Sequence, residues 1–408
     1  MRSQITRFFL VSLLNALISM DPATIKAGDY IVLEGGDIHQ LVKIDTNACR
    51  KLGVLGQVKL DKLIGHSFYS YVKYIKSEGK FEVTAAKVDG EGSDLQAIEE
   101  PTANRDNRNL DDTSTAQRVD LDAISELKRE AKFDDIVPQL IAGSETFEGK
   151  STFAQRKYIQ KKKAQYEVCF FLRPPTLRDI CQPRHAYGDI FVHHHNLQYV
   201  IDKAGVFYQS NCLLFDESMG LVASSILQIL STASTASPTV LGKLVNVVTK
   251  KHKFKRRFAE MLGVSIDESV YTGVTLLDNG KDEANSCGNA QLLRNDSGDL
   301  MTGRFTSLVI VSRTDADIWF DALFPFLEVG GSFAILSASL AALESIEYRR
   351  KEWKSSKPDG CAFGMVQAEV VELSSRQYQI IPNCTHPIVP QSPHAGYVFS
   401  GVKVGLSE

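Results

Sequence analysis

The sequence predicts an α/β fold preceded by a separate small all-β unit, and three observations support it. From Glu167 onward, buried-strand runs alternate with stretches of helical periodicity. Between Gly28 and Val88, short strands are punctuated by turn residues at roughly ten-residue intervals, as in a small β-barrel. Between them in importance is Ser210 to Leu230, which reads as a buried strand, a tight acidic turn and an apolar helix.

In that third stretch Cys212-Leu213-Leu214-Phe215 forms the strand, and Leu221, Val222, Ile226, Leu227 and Leu230 make the helix apolar. A strand–turn–helix of this kind opens a nucleotide-binding α/β domain. Its turn normally carries several glycines, because the backbone must approach the ligand and a Cβ would block it. Here the turn is Asp216-Glu217-Ser218-Met219-Gly220, with one glycine and a methionine where a second would stand. The expectation is a Rossmann-like scaffold lacking a functional cofactor loop, with no catalytic, cofactor-binding or metal-binding residue in this chain.

Composition sets the outer bounds. The chain has 408 residues, 43% hydrophobic and 23% charged, which predicts two or three globular domains. A net charge of −3 gives no overall signature of a nucleic-acid binder, so the local distribution of charge has to carry that argument. The seven cysteines, at 49, 169, 181, 212, 287, 361 and 384, show no CxxC pair, which fits a reducing compartment better than a disulfide or zinc framework. Residues 1–19 form an N-terminal extension, with Arg2 and Arg7 preceding an apolar run, Phe8 to Ile18, too short for the roughly 20 residues of a membrane span. Translation from Met20, a targeting signal and an ordinary amphipathic helix all remain open for it. No membrane association is expected.

Residues 20–88 are assigned to the β-barrel. Tyr30–Leu33 and His39–Ile44 pair as a hairpin across Gly35-Gly36-Asp37, followed by strands at 54–59, 68–74 and 81–84. Residues 89–150 form an acidic, partly disordered linker, with helical spacing of Leu121, Ile124, Leu127 and Ala131. Residues 151–408 are assigned to a basic helix and the α/β domain. In the helix, capped by Thr152, Arg156, Lys157, Lys161, Lys162 and Lys163 occur without an acid, interleaved with Phe153, Tyr158 and Tyr166, a composition suited to phosphates and bases. A strand follows to Pro174, then a helix. His193-His194-His195 reads as a surface loop, since adjacent histidines cannot converge on one metal.

Beyond the central turn, 242–248 is the next strand, followed by a second basic run with six cations in the eight residues Lys250 to Arg257. Gly263 to Gly303 reads as a polar insertion. Strands at 307–312 and 330–337 flank a helix at 318–327, and strands at 365–373 and 397–403 close the chain. That order is the layout of a class I methyltransferase domain.

Several segments together resemble one family, the non-catalytic subunits of the eukaryotic tRNA adenine-58 N1-methyltransferase. They are Ser151 to Tyr158 with its lysine tail, Leu172-Arg173-Pro174, the stretch Arg376 to Pro387, Gly396 to Gly401, and the Gly28–Ile44 hairpin. Gln182–His195 and the 263–303 insert depart from the family pattern. The resemblance implies an N-terminal β-barrel and a methyltransferase-like domain in a heterotetramer of two such subunits with two catalytic ones. The catalytic partner would bind S-adenosylmethionine and methylate tRNA, with the complex expected in the nucleus. It also implies that Arg376, just past the strand ending at Leu373, faces tRNA.

The expected RNA-binding residues are therefore Arg376, Lys157, Lys161, Lys162, Lys163, Arg156, Lys253, Lys255 and Arg256. Two other functions stand against this one: an active methyltransferase with an atypical cofactor loop, and an assembly scaffold without RNA contact. The strand ending in Ser312-Arg313-Thr314 lacks the carboxylate that an N1-methylating site would want just past it, although Asp315 and Asp317 lie close.

Overall fold

The computed structural model describes residues 23–36, 38–76, 78–85, 118–129, 133–166, 169–181, 192–231, 242–249, 253–276, 293–295, 305–355, 363–380, 385–388 and 394–405. The N-terminal extension, residues 86–117 of the expected linker, Lys250, Lys251, most of the 263–303 insert, and cysteines 287, 361 and 384 lie outside them. The chain divides into two compact units, Met1–Pro175 and Thr176–Glu408.

In the first unit the strands are β1 (Tyr30–Gly35), β2 (Ile38–Lys43), β3 (Cys49–Lys51), β4 (Gln57–Lys59), β5 (Ser70–Ile75), β6 (Lys80–Thr84) and β7 (Cys169–Arg173). Five of them form an antiparallel sheet in the order β2-β1-β7-β5-β6, while β3 and β4 pair separately. Among the described residues β2 and β6 do not pair with each other, so the expected barrel is seen as an open sheet. The physical reason lies in what fills its open side. Ile124 from the helix Leu121–Arg129, and Ile136, Val137 and Leu140 from Phe133–Ala142, share one core with Ile31, Leu33, Val72, Phe170 and Leu172 of the sheet. Helices complete the burial that strand closure would otherwise provide.

This arrangement moves the expected boundary at 150/151. The basic helix Thr152–Gln165 precedes β7, which lies at the centre of the first sheet with Leu33 opposite Leu172 and Val72 opposite Phe170. Both elements therefore belong to the first unit. Ser151 caps the helix, accepting the Ala154 N–H at 3.3 Å, so the expected cap at Thr152 shifts by one residue.

The second unit adds β8 (Asn211–Asp216), β9 (Lys243–Val247), β10 (Tyr271–Leu276), β11 (Leu293–Asn295), β12 (Phe305–Ser312), β13 (Leu327–Ser337), β14 (Phe363–Ser374), the short pair β15 (Tyr378–Gln379) and β16 (His386–Pro387), and β17 (His394–Gly405). Eight strands form one sheet, β11-β10-β9-β8-β12-β13-β17-β14, with β10, β9, β8, β12 and β13 parallel and β17 antiparallel. Buried on both faces, β8 and β12 carry continuous apolar runs along their length, Cys212–Phe215 and Leu308–Val311. Strand order reverses between β8 and β12.

Several elements differ from the expected ones. The supposed insert contains β10, which pairs in parallel with β9. The three histidines are not a loop: His193 is the N-cap, and His194 and His195 open the helix His194–Lys203. The helix expected over 318–327 runs Ala316–Leu323 and gives way to a 3-10 turn, Phe324–Phe326, where Pro325 intervenes. The helix Leu340–Ser355 lies in a segment to which no element was assigned. No described helix is long and apolar enough to cross a membrane.

Candidate nucleic-acid interface and the cofactor crevice

In a doubly wound sheet, ligands bind outside the carboxyl ends of the strands, where strand order reverses. Here that point lies between the ends of β8 and β12, and the chain's own groups occupy it. Asp216, the last residue of β8, is buried, and its Oδ1 accepts the Ser218 N–H at 2.7 Å and the Ser218 hydroxyl. Its Oδ2 accepts the Ala223 N–H, in the first turn of the helix Leu221–Ser231, at 3.2 Å. The carboxylate thus engages the helix N-terminus that otherwise receives a ligand's anionic groups. Burial pushes the Asp216 carboxyl above the usual range, against the hydrogen bonds from Ser218, Ala223 and Gly220.

The turn itself has two consecutive left-handed residues, Met219 with φ 61° and Gly220 with φ 101°. Methionine therefore holds a backbone conformation that glycine adopts at less cost. A Cβ on Gly220 would lie 2.7 Å from Phe254 Cδ2 and 3.1 Å from the Lys255 nitrogen, so the close approach here is to the chain itself. Lys255 N–H donates to the Met219 carbonyl at 3.1 Å, and Phe254 packs in a tilted arrangement on Tyr271 of β10, with ring centroids 4.7 Å apart. Glu217 completes the closure: its N–H donates to Val311 O at 3.0 Å, and its Oε2 accepts the Arg313 N–H at 2.8 Å.

A nucleoside cofactor entering this crevice would have to displace Phe254 and compete with Asp216 for the same N–H groups. The residues present do not fit it. Past β9 the sequence continues Val248-Thr249-Lys250-Lys251, without the acid that holds ribose hydroxyls in nucleotide-binding relatives of this fold. Beyond β12, Asp315 is exposed, and Asp317 lies 3.9 Å from Arg349. Among the described residues no group of three or more His, Cys, Asp and Glu side chains is placed to hold a metal.

The expected RNA-binding residues fall into three places. On the helix Thr152–Gln165, Gln155, Ile159 and Tyr166 are buried at i, i+4 and i+11, which sets the inward face. Lys157, Lys161 and Lys163 are exposed, and Arg156 and Lys162 half-buried. Two of the interleaved aromatics are packing groups: Tyr166 is buried, and Tyr158 packs on Phe147 at 5.7 Å with Lys162 Nζ 5.6 Å from its ring. Lys253, Lys255 and Arg256 are exposed on the segment leading into the helix Arg257–Met261. Arg376 is exposed in the bend between β14 and β15.

The last two places share one edge of the second unit. β14 and β13 are each antiparallel to β17, so β14 runs with β9, and both carboxyl ends lie on the crevice side. Five strand spacings of about 4.8 Å put roughly 24 Å between those ends. The significance of Phe254 was missed at the sequence level, where it reads as one aromatic among cations. The glycine at 220 was the available signal, because so close a backbone needs a partner.

A profile of the Gcd10p family matches residues 24–278. The tRNA (adenine(58)-N(1))-methyltransferase non-catalytic subunit of Dictyostelium discoideum is 24% identical, over 93% of this chain and 79% of that protein. The subunit of the same name from Mus musculus is 35% identical, over 37% of this chain and 29% of that protein. Among solved structures, an SAM-dependent O-methyltransferase from Thermotoga maritima superposes with a TM-score of 0.52 at 13% identity, covering 94% of this chain and 96% of that one. That likeness shows the class I methyltransferase fold.

Proposed function

The chain belongs to the Gcd10p family, and on that premise we propose that it is the non-catalytic, tRNA-binding subunit of a heteromeric methyltransferase forming N1-methyladenosine at position 58. A catalytic partner carries S-adenosylmethionine and transfers the methyl group, in a nuclear heterotetramer of two subunits of each kind, and this chain itself holds no cofactor. The names of the Dictyostelium and mouse relatives support this reading. The observation that carries it is Phe254 packed on Gly220, with Asp216 on the adjoining helix N-terminus, where a methyltransferase would seat its cofactor.

The RNA contacts come from Arg376, from Lys157, Lys161, Lys162, Lys163 and Arg156 on the basic helix, and from Lys253, Lys255 and Arg256. Single-sign charge supports them all, and exposure supports all but the half-buried Arg156 and Lys162. The open sheet of the first unit takes the place of the family's N-terminal barrel.

The test is methyl transfer to a transcribed tRNA by this chain alone, by the catalytic partner alone and by the two co-expressed. Activity only in the mixture is expected, and transfer by this chain alone overturns the reading. In the active mixture, Arg376→Ala should reduce the log–log salt slope of tRNA affinity by about 0.7 to 0.9. An unchanged affinity and slope for Arg376 and for the basic helix together would favour a scaffold without RNA contact.

A further inference from the structure

The closed crevice and the second basic run meet at one residue. Phe254 is half-buried, with its ring against Gly220 and 4.7 Å from Tyr271. Tyr271 in turn receives the Asn246 amide of β9 on its hydroxyl at 3.4 Å. Lys253, Lys255 and Arg256 flank Phe254 in the sequence and are exposed, and among the described residues no carboxylate pairs with any of the three. Lys255 Nζ lies 3.1 Å from Met219 Sδ, a weak acceptor that leaves the ammonium charge uncompensated.

Unpaired cations on an irregular segment normally lose much of their interaction energy to ordering. Here the ordering is supplied in advance. The backbone bond from Lys255 N–H to Met219 O and the Phe254 wedge fix the segment to the turn and to β10. We propose that Phe254 is a positioning residue that converts the closed cofactor crevice into a phosphate-binding ridge, presenting Lys253, Lys255 and Arg256 to an RNA backbone. The proposal rests on the tRNA-binding reading above and deepens it. Phosphate is the occupant that charge complementarity selects, because the ridge is of one sign and lies on the same sheet edge as Arg376.

The test uses the full chain co-expressed with its catalytic partner and titrated with transcribed tRNA between 50 and 200 mM salt. Serine at 253, 255 and 256 together should flatten the log–log slope by about 2.1 to 2.7, so wild type loses roughly 20- to 40-fold more affinity than this variant over that range. Phe254→Ala, with every charge retained, should flatten the slope by more than one unit, and Phe254→Leu, which keeps an apolar wedge, should restore most of it. Should Phe254→Ala fail to fold, the leucine and triple-serine variants still decide the matter. An unchanged slope in the triple variant overturns the proposal, as does an unchanged slope in folded Phe254→Ala. Loss of the catalytic partner from the triple variant with an unchanged slope would assign the ridge to a protein contact, which also overturns it. Wild-type complex without measurable tRNA affinity would defeat the functional reading itself, whereas normal wild-type binding with an unaffected triple variant defeats the ridge alone.

Discussion

Glu217 spans the carboxyl ends of β8 and β12, with its own N–H on the Val311 carbonyl at 3.0 Å and its side-chain Oε2 on the Arg313 N–H at 2.8 Å. A ligand at this strand-order reversal would need the space between those two strands, and one glutamate closes it with main-chain partners on the far side. The closure is thus built into the fold. Ser337 Oγ donates to the Arg313 carbonyl at 3.1 Å, extending it to β13.

Gly220→Ala tests the tightest point of that closure. A side chain at φ 101° is strained, at about 1–2 kcal/mol, and its Cβ would press on Phe254 and the Lys255 nitrogen, at about 1–3 kcal/mol. Urea unfolding should show about 3 kcal/mol of destabilisation. In a Phe254→Ala background the pressure on the ring should vanish while the backbone strain and the approach to the Lys255 nitrogen remain, giving a coupling of about 1–2 kcal/mol. Additive losses would mean that the two residues do not press on each other.

Lys403 of β17 is buried, and its ammonium donates to Phe324 O at 3.0 Å, Pro325 O at 3.0 Å and Leu327 O at 2.6 Å. It thereby satisfies the carbonyls of the turn that joins the helix Ala316–Leu323 to β13. Lys403→Met keeps the stem volume but strands those acceptors, each of which costs about 1–3 kcal/mol when left without a donor. Partial relaxation brings the expected net loss to about 3 kcal/mol, read by chemical denaturation. A loss below about 1 kcal/mol would show that the carbonyls find other donors.

The parts of this fold legible from sequence are those whose signal is local. β8 and β12 are long apolar runs because both faces are covered, and the order of helices and strands around them is enough to name the fold class. β7 has an equally clear pattern, yet its partners β1 and β5 lie far back in the chain, so the pattern fixed the strand but not its sheet. β10 was hidden by Gly273 and by polar flanks, although Val274 in its middle is fully buried. At the crevice, the poverty of glycines in the turn was readable. What fills the space was not, because Phe254 reaches Gly220 through tertiary packing that no spacing encodes.

The basic helix offers a test that separates surface charge from structure. Lys157 and Lys161 stand one turn apart on the outward face, opposite the buried Gln155, Ile159 and Tyr166. Serine at both positions should leave the unfolding free energy within about 0.5 kcal/mol of wild type, while reducing the salt slope of tRNA binding by about 1.4 to 1.8. Ile159→Asp should do the reverse, unfolding the first unit without specific effect on the slope. Equal slopes for wild type and the double serine variant would remove this face from the RNA surface.

His194 gives the second unit a sensitivity to acid. Burial first, and then the charges of His195, Arg178 and His193, hold its imidazole down to about 4 from an ordinary value of 6.5. Between those two values the unfolded chain binds a proton at this site that the folded chain does not, so folding stability declines as pH falls from about 6.5 toward 4. His194→Gln removes the titration and should narrow the gap between melting temperatures measured at pH 7 and pH 5. The His195 ring packs against His194 with centroids 3.7 Å apart, so His195→Gln should recover a smaller share by removing one of the repelling charges. The same melting-temperature gap in wild type and His194→Gln would show that protonation of this ring is not linked to unfolding.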